Sequence, residues 1–297
     1  MQISRKVFLL YEMLQIKNLA HTPPEALFKA WDNAFSEYAR SWTFEELQIM
    51  LQRRSYNATL SFGAFDGDEL VGFILNGSGH YNGIYTAYDT GTGVIKSYRG
   101  RNITAQIFGA SLLKLKAAGI KQYLLEVLSD NETAINIYNK AGFKINRTLN
   151  YYIQSVADIK LISSPGIDNY SIVHVQIKDV EDKQDLLTSL PSWQNTLTSV
   201  ANSPKRFVIL AVYKQNELVG YGIVEPATGD VPQLAINKEQ IDNGIASGLL
   251  SKMLSYNKSN QLRFINVDSR DTTMQKFLAG ANISLSGSQL EMSLQLD

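Results

Sequence analysis

Apolar residues recur at helical spacing in some stretches of this chain and alternate in others, and the two kinds of stretch follow one another in a fixed order. Met13 to Leu19 alternates as a strand. Pro23 and Pro24 then open a helical pattern through Leu27, Trp31 and Phe35, since proline suits a first helical turn. Thr43 with Glu46 three residues later is a capping-box signature for a second helix through Leu51. Strands are predicted over Ala58–Phe65 and Leu70–Leu75, joined by the hairpin chemistry of Asp66-Gly67-Asp68, and over Ile84–Val94. A helix over Ile103–Ala118 carries Ile107, Phe108, Leu112 and Leu115 on one side. Tyr123–Leu128 is a short buried strand. A helix from Asn131 to Ala141 follows, with Gly142 as its C-terminal cap, and Phe143 opens another strand.

The same order then returns. Tyr170–Ile177 is predicted as a strand, Val180–Leu190 and Ser192–Ala201 as helices. Phe207–Tyr213 and Leu218–Val224 flank Lys214-Gln215-Asn216-Glu217, a hairpin that echoes the first. A strand over Val231–Ile236, a helix over Asn243–Tyr256, a strand over Leu262–Val267, a helix over Thr273–Ala279 and a strand over Gln289–Leu296 complete the series. Ser163-Ser164-Pro165-Gly166 reads as a linker. The expected architecture is α/β, two tandem copies of a mixed sheet flanked by helices, over residues 1–156 and 157–297. The length of 297 residues agrees, because one hydrophobic core seldom serves so long a chain.

Composition narrows the function classes. The 28 basic and 28 acidic residues cancel, leaving no electrostatic case for a nucleic-acid or anionic-membrane partner. There are no cysteines, which excludes disulfides, thiolate metal sites and cysteine nucleophiles, and three scattered histidines argue against zinc, so no metal is expected. The apolar run near the N-terminus is broken by Glu12 and Gln15, and no stretch has the length of a bilayer span. A cytoplasmic protein is the expectation.

Chemistry gathers between the Ile84–Val94 strand and the helix after it. Val94-Ile95-Lys96-Ser97-Tyr98-Arg99-Gly100-Arg101-Asn102-Ile103-Thr104-Ala105 is a tight polar turn running into a helix start. Such a turn presents backbone N–H groups and the positive end of the helix dipole, and two arginines beside it suit a diphosphate. It is not a P-loop, because no Gly-Lys-Ser/Thr follows. Taken alone, a basic turn of this kind is more often simply solvated.

Two motifs together go further. Arg99, Asn102 and Thr104 match a Gln/Arg-x-x-Gly-x-Gly/Ala pattern in register, with asparagine at a glycine position and threonine at a small one. Asn131-x-x-Ala134-x-x-x-Tyr138-x-x-x-Gly142-Phe143 is a complete second signature. In these motifs the chain resembles the GCN5-related N-acetyltransferase (GNAT) family over Thr86 to Phe143, and in strand order over Leu14 to Tyr152. Asparagine is the residue that best tolerates left-handed backbone after glycine, whereas Thr104 adds bulk near the phosphates.

The resemblance implies acetyl-CoA as cofactor, its diphosphate held by Arg99, Gly100, Arg101, Asn102, Ile103, Thr104 and Ala105. It implies that the glycine-broken strand Thr90-Gly91-Thr92-Gly93-Val94 splays from Tyr123–Leu128, admits the pantetheine arm and offers backbone N–H near Val94 to the thioester carbonyl. Tyr138 is implied as the acid that protonates the departing thiolate, against the alternative of a half-buried helix tyrosine. Glu126 is the candidate base. Alternation puts it on one sheet face with Leu124 and Leu128, and a partly buried carboxylate is either paired or poised to take a proton. A salt bridge to Lys121 or Lys144 is the competing role, and Asp89 with a water chain is a competing base. Asn131 is implied to bond the cofactor arm, or else to cap its helix beside a Ser129/Glu132 capping box.

The matching loop of the second half, Ile241-Asp242-Asn243-Gly244-Ile245-Ala246, lacks the arginine or glutamine, and Asp242 would place negative charge near a diphosphate. Phe277 stands near the expected tyrosine. The second copy is therefore expected to be silent. The resemblance implies a primary amine on a small molecule or a peptide as acceptor; Trp31, Trp42, Tyr81 and Tyr85 would line its pocket unless they are core. Dimerisation of the chain stays open. A different class of function, a degenerate pair that senses acyl-CoA without turnover, finds support in Asn102 and Thr104 and is opposed by the intact Tyr138.

Overall fold

The structure is a computed structural model that describes residues 14–37, 41–161, 170–237 and 244–297. The chain forms two compact units, Met1–Leu125 with Leu294–Asp297, and Glu126–Ser293.

The first unit begins with β1 (Gln15–Asn18), α1 (Pro24–Ala34) and α2 (Phe44–Arg53). Leu27, Ala30, Trp31 and Ala34 make the buried stripe of α1, at the spacing expected of a helix lying on a sheet. Thr43 and Glu46 form the anticipated capping box of α2: the Glu46 N–H donates to the Thr43 hydroxyl at 3.1 Å, and the Thr43 N–H to the Glu46 carboxylate at 2.8 Å. Then come β2 (Phe62–Asp66), β3 (Glu69–Tyr81), β4 (Ile84–Val94), α3 (Ile103–Ala117) and β5 (Gln122–Leu128). The sheet runs β1-β2-β3-β4-β5, antiparallel except for β4 beside β5. β2 starts four residues later than its apolar pattern suggests, because the Asn57 side chain accepts from the Thr59 N–H at 3.1 Å and turns Ala58–Leu60 out of the strand.

The second unit continues with α4 (Glu132–Lys140), β6 (Lys144–Ser155), β7 (Tyr170–His174), the short α5 (Leu197–Ala201), β8 (Val208–Lys214), β9 (Glu217–Glu225), β10 (Asp230–Ile236), α6 (Ile245–Leu254), β11 (Gln261–Asp268), α7 (Thr272–Gly280) and β12 (Leu285–Gln295). Its strands lie in the order β12-β6-β11-β10-β9-β8-β7, antiparallel except for β10 beside β11. Both copies thus have one parallel pair, bridged by a helix, and the repeated element order is present.

The compact units do not divide at residue 156. β6, the last strand of the first copy, runs antiparallel between β11 and β12 of the second. Pairing with both draws α4 and β6 into the second unit. Deep between β6 and its neighbours, the Arg147 guanidinium donates to Glu291 at 3.0 and 2.7 Å, to Asp268 at 3.3 Å and to the Leu190 carbonyl at 2.6 Å. Burial alone would raise the Asp268 carboxyl, yet hydrogen bonds from Arg270, from its backbone and from Arg147 outweigh it and hold the group at about 2.

Where Val180–Leu190 was expected as a helix, the chain makes only a single 3-10 turn, at Gln184–Leu186. The Thr188 and Ser189 hydroxyls donate to Asp271, and the Leu190 carbonyl serves Arg147. Tertiary partners thus replace the helical ladder, and Pro191 bars helical geometry at Leu190. The Ser192–Ala201 prediction contracts to a 3-10 turn, Trp193–Asn195, and to α5. The apolar N-terminal run before Leu14, the Ser163–Gly166 linker and Ile241-Asp242-Asn243 lie outside the described residues.

Candidate active site

The turn between β4 and α3 has the geometry an anion site needs. Gly100 and Asn102 both have left-handed backbone, at φ 78° and 58°. Asn102 is the N-cap of α3 and makes no side-chain cap bond, so its side chain takes none of the first-turn N–H groups. The opening N–H groups of a helix have no intrahelical partner, and in α3 they fall to Ile103, Thr104 and Ala105. Buried Ile103, at 2% exposure, anchors the helix start on the core. Below it Gly72 of β3 leaves room, since a Cβ there would lie 2.9 Å from an Ile103 methyl.

The cations of the turn are placed by partners that pattern alone did not reveal. Arg99 donates to Glu37 at 2.5 Å, to the Ala34 carbonyl at 2.9 Å and to the Val94 carbonyl at 3.4 Å. Lys96 also reaches Glu37, at 2.8 Å. Hydrogen bonds from Lys96 and then Arg99 lower Glu37 to about 2. Arg101 lies over the Tyr98 ring at 4.6 Å and donates to the Ser97 carbonyl at 3.0 Å. The Tyr98 hydroxyl donates to Asp66 in the β2–β3 hairpin, which pins the turn and raises the tyrosine above its ordinary value.

Val94 ends β4, and its N–H is the group that the resemblance assigns to the thioester carbonyl. The Ile95 N–H donates to the Val71 carbonyl at 3.0 Å, so in an antiparallel ladder the neighbouring Gly72↔Val94 pair does not exchange hydrogen bonds. The Val94 N–H accordingly points away from β3. On that side the register of β4 with β5 runs only from Thr86↔Gln122 to Tyr88↔Leu124. The glycines before Val94 answer to packing. A Cβ on Gly91 would lie 2.5 Å from the Trp31 ring, and one on Gly93 would lie 2.7 Å from Phe73. A bulge falls between the Leu75↔Gly91 and Asn76↔Asp89 pairs. Trp31 stacks on Phe73 at 5.8 Å and meets Trp42 edge-on at 5.8 Å, so these tryptophans belong to the first core.

Glu126, Asn131 and Tyr138 lie in the second unit. Tyr138 is half-buried on α4, its ring 5.6 Å from Phe143 and edge-on to it. Asn131 is the N-cap of α4, accepting from the Ala134 N–H at 3.1 Å. The expected Ser129/Glu132 box does not form, because the Ser129 hydroxyl meets that of Ser288 at 2.8 Å. Glu126 is half-buried, and one of its oxygens, Oε2, accepts from the side-chain amides of Gln194 and Asn266, each at 2.5 Å. Charge pattern pointed toward lysines; the amides come from residues with no sequence signal beside Glu126.

An offset of 140 residues, from the Asn131 cap to the Asp271 cap, relates the two copies here. Asp271 accepts from the Met274 N–H at 2.9 Å, as Asn131 does from Ala134. Phe143 donates to the Tyr138 carbonyl at 3.0 Å, and Ile283 to that of Leu278 at 2.9 Å, closing both helices with the same bond. Gly142 and Asn282, at φ 95° and 59°, are the left-handed residues of these closures. The counterpart of Tyr138 is therefore Leu278, one residue past Phe277, and that of Glu126 is Asn266. Even the β6–β12 register obeys the offset, being symmetric about Leu149↔Gln289. Gly244, at φ 73°, caps α6 as Asn102 caps α3.

Among the described residues no helix is long and apolar enough to cross a membrane. The model of the acetyltransferase (GNAT) family matches residues 25–143. N-alpha-acetyltransferase 30 of Schizosaccharomyces pombe is 30% identical over 108 residues, 36% of this chain and 72% of that protein. N-alpha-acetyltransferase MAK3 of Arabidopsis thaliana is 28% identical over 103 residues, 34% of this chain and 54% of that protein. In fold, a tandem GNAT protein from the clavulanic acid biosynthesis pathway superposes with a TM-score of 0.70 at 12% identity, covering 96% of this chain and 99% of the other.

Proposed function

This chain belongs to the acetyltransferase (GNAT) family and is an acyltransferase with acetyl-CoA as its donor, and from that premise we propose that its first copy, residues 1–156, acetylates a primary amine by direct attack on the thioester. The observation that carries the proposal is the α3 start. A left-handed Asn102 that makes no side-chain cap bond leaves the first amides of α3, those of Ile103, Thr104 and Ala105, uncapped at a turn that carries Arg99 and Arg101. A diphosphate finds there the dipole, the donors and the cations that it needs. Gly100 and Arg101 complete the cradle.

The remaining roles follow the chemistry. The Val94 N–H, turned away from β3, donates to the thioester oxygen as charge develops on it. Glu126 takes a proton from the substrate ammonium, and the amine lone pair attacks the thioester carbon. As the adduct collapses, the C–S bond would break with the Tyr138 hydroxyl protonating the leaving sulfur, and the surplus proton on the new amide nitrogen would return to the tyrosinate. Asn131 has its carbonyl oxygen committed to the Ala134 N–H, so its amide nitrogen is the atom left to meet the pantetheine arm. Two relatives are N-alpha-acetyltransferases, which favours the α-amine of a peptide over a small-molecule amine as acceptor. The second copy, residues 157–297, is silent in this scheme, because Leu278 has no proton to give where Tyr138 stands.

A sensor that binds acyl-CoA without turnover is the second reading, favoured by the occupation of Arg99 by Glu37. Incubation with acetyl-CoA and a panel of short peptides and small amines, following free CoA thiol, separates the two. Transfer predicts amine-dependent thiol release that Tyr138→Phe suppresses. Tight CoA binding with no release for any amine would establish the sensor instead, and a crystal structure placing the diphosphate away from Arg101–Ala105 would sink both.

A further inference from the structure

Asn266 is an unusual residue in its strand. It sits inside β11 at 5% exposure, with φ 64°, where the register with β6 slips between Phe264↔Tyr152 and Val267↔Asn150. A left-handed residue within a strand is strained for any side chain, asparagine least among the non-glycines. The slip turns the side chain into a polar cluster. Its amide nitrogen donates to Glu126 Oε2 at 2.5 Å and to the Ser192 hydroxyl at 3.1 Å, while its oxygen accepts from Gln289 at 2.9 Å. That last bond decides which way the amide faces: with Gln289 donating to the oxygen, the nitrogen must face the carboxylate. Gln194 brings a second amide to the same Glu126 oxygen, at 2.5 Å. By the 140-residue offset, Asn266 stands where the first copy has Glu126 itself.

We propose that Asn266 and Gln194, residues of the second copy, are positioning residues for Glu126, fixing its carboxylate through Oε2 in the orientation from which it deprotonates the acceptor ammonium. The inference rests on the reading of Glu126 as base. Two neutral donors favour the ionised carboxylate that a base must be, and they add no positive charge that would repel an ammonium. A lysine or arginine in their place would hold the carboxylate equally well and repel the substrate. The degenerate copy thus does more than pack: having lost the carboxylate, it supplies the amide that fixes the surviving one.

The test is a double-mutant cycle on the full-length protein, with acetyl-CoA and whichever short free-amine peptide of the panel is turned over fastest. Glycine adopts φ 64° without strain, so Asn266→Gly removes the amide and spares the bulge. Its kcat is expected to fall about tenfold, a part of what a general base contributes, with KM for acetyl-CoA held within about twofold. Asn266→Asp keeps the shape but loses the donor, and is expected to fall at least as far. Gln194→Ala repeats the effect from outside the strand, should either Asn266 variant fail to fold. On a Glu126→Gln background these changes should add less than about twofold, because groups acting through one another are not additive. Unchanged kcat in Asn266→Gly and Gln194→Ala, with Glu126→Gln inactive, would refute the positioning role and leave the base standing. Equal losses on both backgrounds would reduce Asn266 to a purely structural residue. Full activity in Glu126→Gln, or no peptide turned over by the unaltered protein, would remove the base reading and the inference with it.

Discussion

Helices α4 and α7 start from the same kind of side-chain cap and end on the same left-handed closure, yet they face different demands. None of the α4 side chains is fully buried, and Tyr138 keeps part of its surface; the equivalent Leu278 of α7 is buried to 0% exposure. Backbone frame and side-chain use have therefore come apart. Caps and closures are kept because a helix end has N–H and C=O groups to satisfy whatever its face does. The face is free to stay part-exposed in one copy and to become core in the other.

The sharpest way to break that comparison is to exchange the roles. Tyr138→Phe should lower kcat about a hundredfold with little loss of stability, as expected when only a proton donor is removed. Leu278→Ala should do the reverse, lowering stability by about 2–5 kcal/mol through the cavity it leaves while kcat per folded molecule stays unchanged. Urea denaturation beside initial rates reads both. A large rate loss in Leu278→Ala at full folding would show that α7 also contributes to chemistry.

The helix starts offer a smaller contrast. Gly244→Ala at φ 73° should cost about 1–2 kcal/mol, whereas Asn102→Gly at φ 58° should be neutral or slightly stabilising, both measured by denaturant titration. CoA affinity measured by calorimetry should survive Asn102→Gly if, as proposed, the amides and not the Asn102 side chain hold the diphosphate. A loss there would mean that the side chain itself touches the cofactor.

The smallest effect concerns Glu37. Its carboxyl is lowered from the ordinary 4.5 to about 2, chiefly by the Lys96 hydrogen bond and then by that of Arg99. A lowered folded value means that the ion pair contributes above the unfolded value and fades as pH falls through the folded one. The melting-temperature difference between the unaltered protein and Glu37→Gln should therefore be constant at neutral pH and vanish between about pH 4.5 and 2. Because the site is solvent-exposed, moderate salt should abolish the difference at every pH. A difference that persisted in salt would reveal a desolvated pair.

Which features could be read from sequence depended on how far away their causes lie. The Thr43–Glu46 box, the hairpin at Asp66-Gly67-Asp68 and the left-handed Asn102 are local, settled by residues within a turn of one another. The Asn131 cap is also local, although a Ser129/Glu132 box competed with it on paper. Glu126 was visible as a half-buried carboxylate, but its partners are Gln194 and Asn266, brought in by strands and a turn that meet only in the folded chain. Val180–Leu190 misled for the same reason: its helical spacing was outweighed by Arg147 and Asp271, which take up its carbonyl and hydroxyls. The place of Tyr138 on a helix could be read from its motif, while the equivalence of Leu278 needed the two helix caps to set the register.

The symmetric pairing of β6 with β12 also sets a schedule for synthesis. β6 leaves the ribosome long before β12, and at ordinary elongation rates the 140-residue offset between Leu149 and Gln289 is a wait of about seven to thirty seconds. During that interval one edge of β6 lacks its native partner, and β11 arrives before β12 does. A nascent chain halted before residue 285 would carry a strand edge open to any passing strand, so a chaperone bound cotranslationally should dwell there until the last eleven-residue strand emerges.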